Sequence, residues 1–185
     1  MPDLETIHHF DMIIVGSGGA GLSLALSLAS HYNIAILAKA ALTEASTYYA
    51  QGGVAAVLDE TDSIQQHIND TMIAGAHLCE LDAVKHTVEG GKPSVDFLLE
   101  QGVQFTLDDD EQLHLTREGG HSQRRIIHSA DATGKAISTT LVERAKERKN
   151  ITIFENYIAI DLITKHKLGH LGEKNRAIEI GRAHV

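Results

Sequence analysis

The sequence contains very little cysteine and no long apolar run. Cys79 is the single cysteine among 185 residues, so the chain cannot form an internal disulfide. We expect an idle or buried thiol there, because no activating arrangement stands near it in the sequence. No apolar run is long enough to cross a membrane, and the polar first ten residues lack the basic start of a signal peptide. These absences favour a reducing cytoplasm as the location.

The chain also has few basic residues. Lysine and arginine number 16 against 25 aspartate and glutamate residues, which gives a formal net charge of −9. This excess of negative charge argues against a nucleic-acid partner. Six histidines in the middle of the chain are scattered, and none stands four residues from another histidine: His67, His77, His86, His114, His121 and His128. Because these six lack that spacing and the chain has no cysteine pair, we predict no metal site. We also predict no membrane partner.

A glycine-rich segment follows the first apolar run. Residues 11–15 are apolar, as in a parallel strand that is buried on both faces. The pattern G-x-G-x-x-G comes next, in the residues Gly16, Ser17, Gly18, Gly19, Ala20 and Gly21. A helix-like apolar segment, residues 22–29, and a second strand-like run, residues 34–37, complete the pattern. This context predicts a βαβ unit that binds a dinucleotide, because a lone glycine pattern is weak but one between a strand and a helix is specific.

The glycines and the helix serve separate purposes in such a unit. Gly16 permits the tight turn, Gly18 lets the backbone approach phosphate oxygens, and Gly21 lets the helix pack closely on the strand. The helix N-terminus offers free N–H groups and the positive end of its dipole to a diphosphate. The sequence therefore predicts an α/β fold of the Rossmann type with a parallel sheet. We expect the helix to be buried on most of its faces.

The end of the second strand departs from the common pattern. A carboxylate usually stands there and accepts hydrogen bonds from ribose hydroxyls. This chain has Lys39, which has no acceptor but can face a phosphate. The glycine pattern alone therefore leaves both NAD and FAD possible.

The remaining segments predict further helices and strands. Residues 63–74 form a predicted helix with Ser63 as its N-cap. Residues 82–101 are helical with an interruption near Gly90, after which Pro93 suits the first turn of a renewed helix that runs to Leu99. We expect a short strand at 103–107, a turn at 108–111, and an amphipathic helix at 135–149. Strands follow at 151–154 and 157–164.

A second informative cluster lies in a loop of small and polar residues. Its members are Ser46, Thr47, Tyr48, Tyr49, Ala50, Gln51, Gly52 and Gly53. Such a loop lets backbone N–H groups approach the edge of a flat flavin ring. A solvated loop explains the glycines equally well, so the residues alone leave both interpretations open.

A third cluster combines arginine, glutamate, glycine and histidine. Residues 116–122 read Thr-Arg-Glu-Gly-Gly-His-Ser, and Arg124 and Arg125 follow. Arginine pairs with a carboxylate and glutamate with an ammonium group, so this segment suits a small charged substrate. An exposed charged loop is the alternative, and it is the more frequent one for such residues.

Together these segments resemble the succinate dehydrogenase/fumarate reductase flavoproteins, and within them the L-aspartate oxidase family. The matching segments are 14–22, 46–57, 115–122 and 130–134, and the resemblance covers nearly all of residues 10–165. It implies that FAD is bound by residues 17–20, by Lys39, by the loop 46–53, and by backbone near Ile158 and Ala159. A lysine is the expected residue after the second strand in this family. The resemblance also implies that Glu118 orients L-aspartate through its ammonium group.

Ser46 stands where succinate dehydrogenases carry the histidine that links FAD covalently, so the resemblance implies noncovalent FAD. The implied reaction is hydride removal from L-aspartate to give iminoaspartate, with oxygen or fumarate as the electron acceptor. This is the first step of de novo NAD biosynthesis, and quinolinate synthase is a possible partner. Two alternatives remain: a flavoprotein acting on succinate or fumarate, and a noncatalytic FAD-binding fragment.

Family members are several hundred residues longer, and they carry a capping domain with a proton-transferring arginine. No position here matches that arginine, so we predict no catalytic residue in this chain and no activity of the chain alone. We expect residues 10–179 to form an FAD-binding domain that is incomplete at its C-terminal end, after a flexible segment at 1–9. Residues 180–185 are the residues that the string ATC GGA AGA GCA CAC GTC would encode, and this string is part of a common sequencing adapter. We therefore predict that these six residues are a non-native tail.

Overall fold

A computed structural model describes residues 7–130, 132–164, 167 and 177–184. In chain order, the elements are β1 (Met12–Val15), α1 (Gly19–Leu28), β2 (Ile34–Ala38), α2 (Ser46–Tyr49), β3 (Val54–Ala55), α3 (Ile64–Ala74), α4 (Leu81–Glu89), α5 (Gly91–Gln101), β4 (Ile126–Ile127), α6 (Thr133–Glu147), β5 (Ile151–Glu155), β6 (Tyr157–Thr164) and β7 (Ala177–His184). The chain divides into two compact units. The first unit comprises residues 1–46 and 141–185, and the second comprises residues 47–140.

The first unit contains a parallel sheet in the order β1-β2-β5. Met12 pairs with Ile34 at one end of β1, and Ile34 pairs with Ile151 on β5. All five residues of β2 are buried because this strand has a neighbour on each side. The parallel sheet with its α1 crossover confirms the predicted α/β class and the predicted βαβ unit.

Strand β1 is less buried than its apolar sequence predicts. Ile14 is buried, but Ile13 is 38% exposed and Val15 is 60% exposed. Alternate residues of a strand face opposite sides, so Ile13 and Val15 share one face of the sheet. The prediction of burial on both faces is therefore wrong among the described residues, because no described element covers the face that carries Ile13 and Val15.

Helix α1 buries one face only. Its buried positions, Leu22, Ala25 and Leu26, together with Ala29 just beyond the helix, follow the spacing of a single helix face. Leu24 lies on the other side and is exposed. The prediction that most faces are buried is wrong, because no described element covers the side that carries Leu24.

The second unit contains α3, α4 and α5. Ser63 is the N-cap of α3, and its Oγ accepts a hydrogen bond from the Gln66 N–H at 3.2 Å, as predicted. Gly90 separates α4 from α5, and Pro93 lies in the first turn of α5, also as predicted. Ile68 of α3 packs with Val84 and Val88 of α4 in a small apolar core.

The later part of the chain follows the predictions with one exception. Helix α6 buries the apolar positions expected of it, namely Ile137, Leu141, Val142 and Ala145. The predicted strand at 103–107 does not form, and Leu107 makes only an isolated bridge to Leu113. Strands β6 and β7 pair antiparallel, with Tyr157 opposite His184. In the part of the chain that the structure describes, no helix is both long and apolar enough to span a membrane.

Candidate functional site

The glycine-rich turn of the first unit has the geometry that its sequence predicts. Gly16 has φ +113°, a conformation that favours glycine, and its N–H donates to the Leu37 carbonyl at 2.9 Å. A Cβ on Gly21 would lie 2.2 Å from the Gly16 oxygen and 3.3 Å from Cγ2 of Ile14. The absent side chain at Gly21 therefore lets α1 start directly against the turn that ends β1.

The N-terminus of α1 is suited to an anion. Gly18 is the N-cap and has no side chain that could cap the first turn, which contains no acidic residue. The N–H groups of this turn and the positive end of the helix dipole can therefore interact with a diphosphate. Ser17 is buried, and its Oγ donates to the Leu42 carbonyl at 3.3 Å. Ser17 thus supports the turn rather than capping α1.

Lys39 lies at the same edge of the sheet as the glycine-rich turn. The strands are parallel and Val15 pairs with Leu37, so Gly16 and Lys39 both follow carboxyl ends of strands. Lys39 is exposed. The segment after it is fixed at Leu42, whose N–H donates to Glu155 Oε1 at 2.7 Å and whose carbonyl accepts from Ser17. The edge of the sheet that carries the glycine-rich turn therefore also presents an exposed lysine.

Ile158 and Ala159 lie on β6 of the same unit. Ile158 pairs with Ala183 of β7, and Ala159 pairs with Arg182. Ile158 is exposed and Ala159 is half-buried. The role predicted for their backbone in cofactor binding stays a prediction.

The second unit contains residues 47–53 of the small-residue loop. Thr47, Tyr48 and Tyr49 belong to the short α2, and the following Ala50, Gln51 and Gly52 are exposed. Gly53 directly precedes β3, and a Cβ on Gly53 would lie 2.4 Å from both Ile126 Cγ2 and the Ile127 oxygen. The loop therefore combines accessible backbone groups with a tightly packed end. Ser46, the remaining residue of this loop, begins α2 and is exposed.

The start of α6 holds the other side of this loop. A Cβ on Gly134 would lie 2.0 Å from the Thr47 oxygen, and the Gly134 N–H donates to the Ala50 carbonyl at 3.1 Å. The Lys135 ammonium lies 5.8 Å from the centre of the Tyr48 ring, a cation–π distance. These contacts fix the backbone of residues 47–50. Asp131 of the 130–134 segment lies outside the described residues.

Glu118 lies in an exposed loop, residues 117–124. Thr116 and Ile126 close the base of this loop as an antiparallel bridge, with the Thr116 N–H donating to the Ile126 carbonyl at 2.9 Å. Gly120 has φ +85°, a conformation that favours glycine. The Glu118 carboxylate is accessible, as a group that meets a substrate ammonium must be.

A cavity of about 1040 Å³ lies beside this loop within the second unit. Its lining residues include Arg117, Arg124 and Ser122, together with Asp59 and Asp108. Glu118 is not among the lining residues. Hydrogen bonds from the Thr61 hydroxyl and backbone hold the pKa of Asp59 below its usual value, so this carboxylate is charged near neutral pH. The cavity therefore presents both signs of charge.

Arg125 is a buried ion-pair centre that the sequence did not single out from its neighbours. Its side chain is 0% exposed, and its partners Asp62 and Asp70 are 1% and 14% exposed. Nε and Nη2 donate to the two oxygens of Asp62, each at 2.7 Å. Nη1 donates to Asp70 Oδ2, also at 2.7 Å. The guanidinium is thus bidentate to one carboxylate and bonded to a second.

Asp70 and His121 extend this centre to the loop that carries Glu118. Asp70 Oδ2 also accepts from the Ser122 N–H and the Ser122 hydroxyl, both at 2.8 Å. Nδ1 of His121 lies 3.4 Å from Nη1 of Arg125, and since a guanidinium only donates, Nδ1 is the acceptor. The ring of His67 lies 5.7 Å from that of His121.

Charge and burial act in opposite directions on these groups. Burial disfavours the ionised form of Asp70, but hydrogen bonds from Ser122 and Arg125 and the charge of Arg125 hold its pKa below the usual value. Burial likewise opposes the charge of Arg125, yet Asp62 and Asp70 raise its pKa. Burial, followed by the nearby Arg125 and His121, lowers the pKa of His67. His67 is therefore neutral near pH 7, next to the charged side chains of Asp62, Asp70 and Arg125.

Sequence reasoning missed Asp62, His67 and Asp70. Helical spacing places His67 and Asp70 on one face of α3, which is the one local signal that they act together. No signal in the sequence pairs them with Arg125, because Asp62 and Asp70 are 63 and 55 residues away from it in the chain.

Comparison with known proteins adds a family and close relatives. The FAD binding domain family model matches residues 11–179. The chain is 80% identical over 178 residues to the L-aspartate oxidase of Acinetobacter baylyi, covering 96% of this chain and 33% of that protein. It is 53% identical over 169 residues to the L-aspartate oxidase of Pseudomonas aeruginosa, covering 88% of this chain and 31% of that protein. The chain thus spans about a third of the length of these relatives.

Solved structures with the same fold include a quinol fumarate reductase and an Sdh1 complex. The chain matches an Escherichia coli quinol fumarate reductase with a TM-score of 0.78 and 31% identity, covering 84% of this chain and 27% of that one. It matches the Mycobacterium smegmatis Sdh1 complex with a TM-score of 0.77 and 27% identity, covering 85% of this chain and 30% of that one.

Proposed function

Since the chain belongs to the FAD binding domain family and is a homologue of L-aspartate oxidases, we propose that it is the FAD-binding N-terminal part of an enzyme that oxidises L-aspartate to iminoaspartate. The observation that carries this proposal is the 80% identity to the Acinetobacter baylyi enzyme over 96% of this chain. The N-terminus of α1, which follows the Gly16 turn and has no side-chain cap at Gly18, supports the cofactor part of the proposal. No described residue within this chain is assigned the proton transfer.

The residues of the first unit fit the diphosphate of FAD. A Cβ at Gly21 would overlap the Gly16 oxygen, so glycine at this position lets the N-terminus of α1 begin directly at the glycine-rich turn. We assign the diphosphate to the backbone N–H groups of residues 17–20, and Lys39 supplies a positive charge at the same sheet edge. Ile158 and Ala159 are assigned to the cofactor through their backbone.

The second unit supplies groups that suit a flavin ring. We assign Thr47, Ala50, Gln51 and Gly52 to it, because their backbone lies in a segment that is exposed and held by Gly134. Ser46 has no imidazole for a covalent link, so the cofactor is bound noncovalently. When bound, FAD accepts the hydride of the substrate and passes the electrons to oxygen or fumarate.

Substrate recognition falls to the loop 117–124. We assign Glu118 to the ammonium group of L-aspartate, because its carboxylate is accessible. Arg117 and Arg124 line the neighbouring cavity and are suited to carboxylates. An ammonium contact distinguishes an amino acid from succinate, which has none. The product is consumed by an enzyme of NAD biosynthesis, for which quinolinate synthase is the proposed partner.

A test requires a protein of family length. We define the extended protein as residues 1–179 of this chain followed by the matching remainder of the Acinetobacter baylyi relative. We expect it to purify yellow, to release its flavin on acid precipitation, and to produce peroxide with L-aspartate. Flavin that stays with the acid precipitate contradicts noncovalent binding. Peroxide release from the 185-residue chain alone contradicts the absence of catalytic residues from it.

Two substitutions in the extended protein separate cofactor binding from substrate recognition. Gly18→Val places a branched side chain at the N-cap of α1, and we expect loss of the yellow colour. We expect Glu118→Ala to keep the yellow colour and to weaken the binding of L-aspartate more than the binding of fumarate. Equal losses for both substrates remove Glu118 from ammonium recognition.

The second candidate function is oxidation of succinate or reduction of fumarate without an amino-acid substrate. The similarity to the Escherichia coli quinol fumarate reductase favours it, at 31% identity. The higher identity to L-aspartate oxidases and Ser46 favour the first candidate. Peroxide release with succinate but not with L-aspartate supports the second.

We also propose that residues 180–185 are a non-native tail behind the partial FAD-binding domain of residues 10–179. The support is that these six residues match the translation of the adapter string, and that the family match ends at residue 179. Sequencing of the source gene tests this: a different continuation after residue 179 is expected, and the same six codons in genomic DNA refute it.

A further inference from the structure

The loop 117–124 contains little that holds it in one conformation by itself. It includes the glycine pair Gly119 and Gly120, and six of its eight residues are exposed, namely 117–120, 122 and 124. A Cβ on Gly119 would meet no atom within 4 Å, so no packing confines it. Glycine pays more conformational entropy on ordering than other residues, so such a loop needs outside contacts.

Those contacts converge on one carboxylate oxygen. Oδ2 of Asp70 accepts from the Ser122 N–H, the Ser122 hydroxyl and Arg125 Nη1, at 2.8, 2.8 and 2.7 Å. Asp70 lies on α3, whereas Ser122 and Arg125 lie within and directly after the loop. Three charge-assisted hydrogen bonds on a single atom fix its partners closely in position.

Arg125 also holds Asp70 in position through its guanidinium group. Its bidentate pairing with Asp62 orients the guanidinium plane, so Nη1 points at Asp70. Asp62 is itself fixed, because its Oδ1 also accepts from the Ser63 N–H at 2.7 Å, at the start of the same helix. Asp62, just before the N-cap of α3, and Asp70, within α3, thus bind one buried cation, and that cation lies at the base of the loop.

We propose that Arg125 is a positioning residue that acts through Asp70 and Ser122 to hold the loop 117–124, and with it Glu118, in the conformation that meets the substrate. The inference rests on the proposed function for the role of Glu118. It assigns to the Arg125 centre an effect on substrate affinity that goes beyond folding. The hydride transfer itself needs none of these groups.

The first experiment measures hydrogen exchange of the loop 117–124 in the 185-residue chain. Hydrogen–deuterium exchange is followed by mass spectrometry on peptides that cover residues 117–124. Asp70→Asn weakens all three hydrogen bonds to Oδ2, and we expect exchange in the loop to rise about tenfold. Asp82→Asn is the matched control, since Asp82 is fully exposed and makes only a 3.8 Å pair with Lys85. Unchanged exchange in Asp70→Asn overturns the proposal.

The second experiment measures substrate affinity in the extended protein with Ser122→Ala, which removes one hydroxyl and leaves the ion pairs. We expect KM for L-aspartate to rise about fivefold to tenfold with kcat and the melting temperature unchanged, as for loss of one hydrogen bond to a charged group. Ser122→Thr keeps the hydroxyl and restores KM. Ser94→Ala is the control, because Ser94 bonds only the Gly90 carbonyl of its own helix.

A double variant separates positioning from general loosening. In a Glu118→Ala background, Ser122→Ala adds no further rise in KM if Ser122 acts through Glu118. Equal rises in both backgrounds overturn the proposal while leaving the role of Glu118 intact. If Glu118→Ala leaves KM unchanged, the assignment of Glu118 under the proposed function fails. Faster hydrogen exchange in the loop of Asp70→Asn would then still show that the Asp70 hydrogen bonds hold the loop, so the two failures are distinguishable.

Discussion

Gly21→Ala tests whether the close approach of α1 to β1 is needed for the fold of the first unit. The added Cβ would lie 2.2 Å from the Gly16 oxygen, and real Cβ contacts essentially never fall below 3.0 Å. The two atoms must therefore separate by at least about 0.8 Å. The obstructing atom is a backbone oxygen, so no side-chain rotation relieves the overlap. Ile14 Cγ2 at 3.3 Å blocks part of the remaining space.

The expected loss of stability follows from two opposing effects. Overpacking costs about 3 kcal/mol at the upper end of its usual range, which applies when backbone must move. Alanine is the better helix former by about 1 kcal/mol, which offsets part of that cost. The net loss is about 2 kcal/mol, equivalent to a shift of the urea midpoint by about 1 M for a typical small domain.

Urea unfolding of the chain, followed by circular dichroism, measures this shift. Gly52→Ala is the matched control: its Cβ meets no atom within 4 Å, so the same chemical change is expected to leave the midpoint unchanged or slightly raised. Gly16→Ala separates strain from overlap, because the space is open there but φ is +113°. A Gly21→Ala midpoint equal to that of the parent chain refutes the packing argument.

Two further predictions concern α3. Ser63→Ala removes the N-cap acceptor of Gln66 and should lower the free energy of unfolding by about 1 kcal/mol in urea titrations; Ser27→Ala, at an exposed helix position, should not. His67→Gln tests pH dependence: burial lowers the pKa of His67, so below its unfolded value of about 6.5 the unfolded chain binds a proton that the folded chain does not. Stability should therefore fall as pH drops from about 6.5 in the parent and fall less in the variant, and parallel curves contradict this.

The features that could be predicted from the sequence are those set by neighbours along the chain. The β1-α1-β2 unit, the Ser63 cap, the break at Gly90 and the buried face of α6 all follow from local periodicity or local backbone chemistry. The predicted strand at 103–107 failed for a related reason. Val103 and Phe105 alternate as in a strand and are buried, but the segment has no continuous partner, and strands form only where another strand supplies hydrogen bonds.

The exposure of β1 and α1 could not be predicted from the chain itself. Ile13, Val15 and Leu24 are apolar like their buried neighbours, so their sequence indicates burial. Whether such residues are covered depends on elements that pack from outside, and the chain spans about a third of the length of its relatives. An apolar pattern thus indicates that a segment is suited to burial, whereas its actual exposure depends on which elements pack against it.

The three arginines of the substrate-like motif show why burial must be known before roles are assigned. In the sequence, Arg117, Arg124 and Arg125 form one basic cluster around Glu118. In the second unit, Arg125 is fully buried and its guanidinium bonds two carboxylates, so it is not accessible to a substrate. Arg117 and Arg124 are exposed on the cavity beside the loop and make no ion pair with a described residue. A substrate carboxylate that enters this cavity therefore meets Arg117 or Arg124, and Arg125 influences it only through the loop that it holds.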